Sequence, residues 1–204
     1  RYAKKPESVP YIEHEKLKTE LALNGKKVML TVARMVDGKG YPHIAGILPD
    51  LVKEVPNLAW LIIGDGPKKQ QVVEMIQKNN LHNVVRLLGV IPREELPKYY
   101  QMSDVFVLLT HADESREEGG GTVFLEAAAS GLPSVAGRVG GVEEAVENNV
   151  TGVVVDVHQQ KAVAAAIVGL LKNPEYAKKM GEAGRERVLR EFTWEKQLAS
   201  LRAK

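Results

Sequence analysis

Residues 105–136 read VFVLLTHADESREEGGGTVFLEAAASGLPSVA. The first five are an unbroken apolar run, as expected of a strand covered on both faces. Gly119, Gly120 and Gly121 then open an apolar helical pattern over 122–130. Gly131-Leu132-Pro133 stops it, because glycine suits the left-handed residue past a helix end and proline cannot extend the helix. A second strand is expected over 133–136. Strand, crossover helix and strand within about 30 residues is the unit from which a parallel sheet is built.

The same alternation extends in both directions. Upstream, strands are expected over 28–32, 58–63 and 84–87, separated by helical patterns over 42–54, 68–79 and 93–101. Downstream come a helix over 142–147, a strand over 152–155 and a helix over 159–171. Pro42 suits a first helical position. The expected fold is α/β, a Rossmann-like, doubly wound parallel six-stranded sheet with helices on both faces. Past Asn173-Pro174 the pattern is wholly helical, through Met180, Val188, Leu189, Trp194, Leu198 and Leu201, so a helical C-terminal tail is expected. Before Lys27, residues 13–23 read as one helix, while 1–10 are polar and proline-containing, like a linker. The chain thus divides into a linker and leading helix at 1–26, a sheet domain at 27–173 and a tail at 174–204.

Composition narrows the function. At 204 residues the chain can bury a sizeable core. Its 44% hydrophobic and 26% charged content is that of an ordinary soluble domain and excludes disorder. A net charge of +2, with the signs evenly mixed, is no footprint for nucleic acid, and none is expected as a partner. The absence of cysteine rules out disulfides and thiolate metal centres; it fits a reducing compartment, so cytoplasmic residence is expected. The longest apolar stretch, 162–171, is half of the roughly 20 residues a spanning helix needs. A start at Arg1, with neither initiator methionine nor secretory pattern, suggests a piece of a longer protein.

In doubly wound sheets ligands bind beyond the carboxyl ends of the strands, which points to the loops after Val32, Ile63, Leu87, Leu109 and Ala136. In the first, Arg34 and Lys39 flank a turn. A guanidinium fork and a mobile ammonium can hold a diphosphate and stabilise the charge that grows as it departs. Taken singly, they also fit two solvated loop charges. Gly64-Asp65-Gly66-Pro67 lacks the third glycine and the spacing of a dinucleotide fingerprint, so it reads as a wall of the crevice. The glycines at 119–121 let a ligand approach the backbone, and the helix start behind them offers unpaired N–H groups and partial positive charge to an anion.

Thr122 and Glu126 are four apart and share a helix face, and helical side chains lean toward the N-terminus, so Glu126 leans back toward the glycines. A carboxylate there can accept from both hydroxyls of a vicinal diol such as a ribose, and Glu118 could accept from sugar hydroxyls. Gly137-Arg138-Val139-Gly140-Gly141 leads into either a second helix start or a simple turn. Of the five histidines, only His111 falls at a strand's carboxyl end. His14, His43, His82 and His158 lack metal-ligand spacing, and no metal is assigned.

With these residues in place, positions 28–194 resemble the C-terminal domain of the retaining glycosyltransferase family 4, whose members pair two Rossmann-like domains in the GT-B arrangement. The features that carry the resemblance are the loop from Arg34 to Lys39, the Gly64-Asp65-Gly66 turn, Leu88-Gly89 ahead of Arg93-Glu94-Glu95-Leu96, Ser103-Asp104-Val105 and Gly140-Gly141-Val142-Glu143. The most specific is Glu118-Gly119-Gly120-Gly121 with Phe124-Leu125-Glu126-Ala127 and Gly131-Leu132-Pro133, which looks like the family's paired-glutamate motif. Two positions depart from the pattern: Ala33 stands where many relatives have glycine, and Gly120 where a larger residue is common.

The resemblance implies one half of a GT-B fold. It also implies an enzyme that transfers a hexose, with retention, from a nucleoside-diphosphate sugar such as GDP-mannose or UDP-glucose to a lipid or saccharide acceptor. Arg34 and Lys39 would act on the diphosphate. Glu118 and the backbone of Gly119, Gly120 and Gly121 would hold the transferred sugar, with Thr122 at the same helix start. Glu126 would hold the ribose, and Gly89, Val90 and Ile91 the base. Attack from the front face without a protein nucleophile is implied, and neither metal nor cofactor is called for. Acceptor groups would lie on an N-terminal domain of the same protein, so this chain is expected to bind donor without efficient transfer. The acidic loop before Glu118 is similar to that of lipid-directed α-mannosyltransferases, which admits peripheral association with the inner face of a membrane. A non-catalytic nucleotide-sugar-binding module, a nucleotide-sugar epimerase and a phosphorylase of similar fold are the alternatives.

Overall fold

Strand β1 (Lys27–Val32) lies at the centre of the sheet. On one side it meets β2 (Leu58–Ile63) and then β3 (Val85–Gly89); on the other, β4 (Val105–Leu108), β5 (Ser134–Gly137) and β6 (Gly152–Val155). Every pairing is parallel. The computed structural model describes residues 11–111 and 121–192. The strand order β3-β2-β1-β4-β5-β6 is that of a doubly wound sheet, whose direction of winding reverses between β1 and β4.

The continuous apolar runs are explained by burial on both faces. Alternate residues of one strand enter two different cores: Val105, Val107 and Leu109 join one, Phe106 and Leu108 the other. The first core is closed by α2 (Tyr41–Glu54), α3 (Lys69–Lys78) and α7 (Gln160–Lys172), through residues such as Ile44, Leu48, Val72 and Ile167. The second is closed by α1 (Tyr11–Glu20), α4 (Leu96–Met102), α5 (Thr122–Ala129) and α6 (Val142–Ala145), through Leu17, Tyr100, Phe124 and Ala145. Phe106 meets Phe124 edge to face, with centroids 5.5 Å apart, a geometry worth about 1 kcal/mol beyond burial, and this seats α5 on β4.

Helix α8 (Pro174–Glu191) contributes Ala177 and Met180 to the first core and Val188 to the second. Its contact with α5 is close because the facing residues are small. A Cβ on Gly184 would lie 3.3 Å from Cβ of Ala128, and one on Gly181 only 2.0 Å from the Gly131 carbonyl. Ala128 therefore packs against α8, while all three alanines at 127–129 lie in the second core.

Several local boundaries differ from expectation. The single helix expected over 93–101 is a 3₁₀ turn (Arg93–Glu95) followed by α4. Pro97 has no N–H to give to the Arg93 carbonyl, which instead accepts from Leu96 in the tighter i to i+3 pattern. The leading helix stops at Glu20 rather than 23. Ala22 turns left-handed at φ 53°, and Leu23, 1% exposed, folds its N–H back onto the Lys18 carbonyl at 2.7 Å. Helix α6 is one turn, not six residues, since Val146 is already extended. Trp194, Leu198 and Leu201 lie outside the described residues.

A buried polar chain ties three strands together. Thr31 donates its hydroxyl to the Val107 carbonyl at 2.7 Å and accepts the indole N–H of Trp60 at 2.9 Å. Thr31 and Trp60 are 0% and 1% exposed, so water cannot replace either bond. Thr31→Val keeps the shape but leaves the indole N–H unpaired. It should cost about 1–3 kcal/mol, read as a lower urea midpoint at an unchanged m-value.

Candidate functional site

The loops beyond the carboxyl ends of β1, β2, β4 and β5 pack backbone against backbone, and glycine makes each contact possible. A Cβ on Gly40, whose φ is +75°, would sit 2.2 Å from the Leu109 carbonyl. One on Gly64 would be 2.0 Å from the Ala33 carbonyl, and one on Gly137 2.1 Å from that of Thr110. The backbone is cross-linked at the same places: Met35 N–H donates to Asp65 at 2.9 Å, and His111 N–H to Gly38 at 3.1 Å. Tyr41, 2% exposed, donates its hydroxyl to the Ala33 carbonyl at 3.0 Å, and burial pushes the phenol well above its usual range, so it stays a neutral donor. Ala33 takes part through its carbonyl.

The charges around this floor divide by use. Asp65 accepts from Gly66 N–H at 2.7 Å and from Lys69 at 2.7 Å, which holds its carboxyl below the usual range and spends it on the start of α3. Lys68 pairs with Asp37 at 3.0 Å, and Arg138 with Glu143 at 2.5 Å. Gly64-Asp65-Gly66 is thus a wall that braces the first loop. Arg34 is exposed, with no ion pair among the described residues, and Lys39 is half-buried.

Since β1 and β4 are neighbours, the loop bearing Arg34 and Lys39 leaves the sheet beside residues 109–111 at the end of β4. Glu118, Gly119 and Gly120 lie outside the described residues. Gly121 caps α5 without a side-chain partner, and Thr122 is exposed at its first turn. A Cβ on Gly121 would lie 2.9 Å from Cβ of Ala145, so this helix start abuts α6. Arg187 of α8 donates to the Ala145 and Glu144 carbonyls at 3.2 and 2.8 Å, closing the end of α6. Residues 137–141 lead into a helix start, with Gly141 capping α6, but a helix of one turn carries almost no dipole.

Glu126 is not a freely solvated helix glutamate. Its side chain is 21% exposed and receives Arg93 Nη2–H on Oε1 at 2.7 Å and the Tyr100 hydroxyl on Oε2 at 3.1 Å. Burial first, then the Glu126 charge, raises the Tyr100 phenol well above its ordinary value, so it remains a donor. Sequence reasoning missed both partners. The fold unites them because the connection from edge strand β3 to β4 runs back beneath the sheet as α4, beside α5. Gly89, Val90 and Ile91 begin that connection. The Gly89 carbonyl accepts Gly64 N–H at 2.7 Å, Val90 is 75% exposed, and Ile91 rests on the second core.

Three histidines that are far apart in sequence also meet at this edge. His43 faces His111 at 4.9 Å and His158 at 5.5 Å between ring centroids. His111 lines two depressions. One, of about 490 Å³, also takes in Arg138, Asp156 and His158; the other, of about 280 Å³, takes in Asp37, Lys68 and His43. Among the described residues no group of three side chains has metal-binding geometry.

The glycosyl transferases group 1 family matches residues 13–187. The GDP-mannose-dependent alpha-(1-6)-phosphatidylinositol monomannoside mannosyltransferase of Mycolicibacterium smegmatis is 36% identical over 88% of this chain and 47% of its own length. Among solved structures, sucrose-phosphate synthase from Thermosynechococcus elongatus superposes with a TM-score of 0.82 at 27% identity, over 99% of this chain and 50% of that one. A TarM mutant of S. aureus, solved with fondaparinux, alpha-GlcNAc-glycerol and UDP, gives 0.77 at 25%, over 85% and 34%. The chain spans about half the length of the curated relatives it matches. No helix among the described residues is long and apolar enough to cross a membrane.

His43 is held below its ordinary pKa by burial, then by His111 and His158, and His14 is lowered in the same direction by burial and Lys18. A depressed folded-state value means that the unfolded chain binds the proton more readily. The stability is present above about pH 6.5 and falls as the pH drops through the folded value. Thermal midpoints should therefore decline between about pH 7 and 5, and His43→Gln should flatten part of that decline. An unchanged slope in the variant would show that the histidine contacts carry no linkage.

Proposed function

The chain belongs to the glycosyl transferases group 1 family, and from that we propose that it is the donor-binding half of a retaining hexosyltransferase using a nucleoside-diphosphate sugar. The observation that carries this reading is the switch point itself: the cation-bearing loop follows β1 and is tied by Gly38 to His111 at the end of neighbouring β4, the strand that precedes α5 in the chain. Arg34 and Lys39 take the diphosphate, and the positive end of α5 serves the same charge. Glu118, with the backbone of Gly119, Gly120 and Gly121, orients the sugar. Thr122 stands at the same helix start, Glu126 accepts the ribose diol, and Gly89, Val90 and Ile91 border the base.

As the diphosphate leaves, negative charge accumulates on its oxygens, and two cations and a helix start stabilise that charge more than the ground state. The reading requires neither metal nor cofactor. The acceptor attacks from the face the diphosphate vacates, which gives retention without a protein nucleophile. Acceptor contacts fall to an N-terminal half of the same protein, so residues 27–173 hold donor without completing transfer. GDP-mannose and UDP-glucose are the donors favoured, the first because the mycobacterial relative is GDP-mannose-dependent. A lipid acceptor at the membrane surface is compatible with the same relative's phosphatidylinositol monomannoside substrate.

Titration calorimetry of the 204-residue chain against GDP, UDP and ADP and their hexose conjugates should find one preferred nucleotide. Arg34→Ala and Lys39→Ala should each weaken it at least about tenfold, the effect of losing one charge-assisted contact. With the acceptor half supplied, turnover should fall by roughly 100-fold or more in either variant. Unaltered binding and turnover in both would overturn the assignment.

A further inference from the structure

Glu126 accepts from two directions, and its two donors differ in how firmly they are held. Tyr100 is 2% exposed and fixed within the second core, whereas the Arg93 side chain is 54% exposed at the head of the 3₁₀ turn. Each donor takes a different oxygen, Tyr100 Oε2 and Arg93 Oε1. A carboxylate offers two lone-pair sites on each oxygen. One site per oxygen therefore remains, and two adjacent acceptors of this kind match the two hydroxyls of a cis vicinal diol.

The terminal torsion of a glutamate is soft, so a carboxylate held at one oxygen can swing the other into bulk water. Tyr100 alone leaves that freedom, and Arg93 removes it. An exposed ion pair contributes little to folding, so the pair's consequence is orientation rather than stability. Arg93 also follows directly on residues 89–92. The segment that borders the base thus carries the group that sets the acceptor for the ribose.

We propose that Arg93 is a positioning residue which, with Tyr100, holds both oxygens of Glu126 toward the donor. The site thereby distinguishes ribonucleoside from deoxyribonucleoside diphosphates. The inference rests on the donor-site reading above. Arg93 acts through Glu126 and touches neither sugar nor phosphate.

The test is calorimetry of the 204-residue chain with GDP and UDP and their 2′-deoxy and 3′-deoxy counterparts. The wild type should prefer the ribonucleotide by about tenfold or more over either deoxy form, since each deletion leaves a charged acceptor unmatched. Arg93→Ala should weaken ribonucleotide binding by about the same factor while leaving the deoxynucleotides unchanged, so that the ratio collapses. Arg93→Lys should restore part of it, and Tyr100→Phe should act in the same direction as Arg93→Ala. A wild type that binds nucleotides without this preference overturns the inference and leaves the donor reading standing. So does an Arg93→Ala variant that weakens, or tightens, both classes equally. A wild type that binds none of these nucleotides overturns the donor reading and this inference together.

Discussion

The carbonyl of Leu109 occupies the space where a side chain on Gly40 would begin, and the carbonyl of Ala33 does the same opposite Gly64. Gly137 repeats the contact against Thr110. Loops that end neighbouring parallel strands would otherwise be held apart by their own Cβ atoms. Without those atoms they close into one floor, and what rises from the floor keeps its spacing. The exposed Arg34 and the half-buried Lys39 take their positions in the first loop from these contacts, because the strands beneath are only one sheet spacing apart.

The helices on the far side of the sheet complete the arrangement. Helix α5 is anchored by Phe124 on Phe106, by Ala128 opposite Gly184, and at its start by Gly121 against Ala145. Arg187 fixes the α6 carbonyls and also lies over the Phe192 ring, so α8 braces the glycine-lined edge from behind. Burial decides this part of the structure: each fully enclosed Leu or Phe contributes about 1.5–3 kcal/mol, while the exposed pairs at Lys68–Asp37 and Arg138–Glu143 contribute at most about 1 kcal/mol each. The charges at the crevice are arranged by the cores rather than holding them together.

Much of this was legible along the chain. Apolar runs such as 58–63 can be buried on both faces only in a covered parallel sheet, and Gly131-Leu132-Pro133 marks the end of a helix by local chemistry alone. The place of Arg34 and Lys39 after a strand and of Glu126 on a helix followed from periodicity. The errors fell where a single residue overrules a pattern. Pro97 broke the expected helix into two, and the left-handed Ala22 ended another early. Glu118, Gly119 and Gly120 were legible as a motif, and their placement lies outside the described residues.

What lay beyond reach was every contact between residues distant in sequence. Nothing in the order of residues brings Arg93 and Tyr100 to Glu126, or His43 to His111 and His158, since those meetings depend on which way α4 returns under the sheet and how α2 and α7 flank it. The sequence by itself determined the element types and the apolar faces, because helix and strand periods and turn chemistry act over a few residues. The tertiary structure alone decided that Arg93 and Tyr100 each take one oxygen of Glu126, that Asp65 is spent on its own loop, and that glycines weld four loops into one floor. Those outcomes depend on hydrogen bonds and close packing across strands, which no local period encodes.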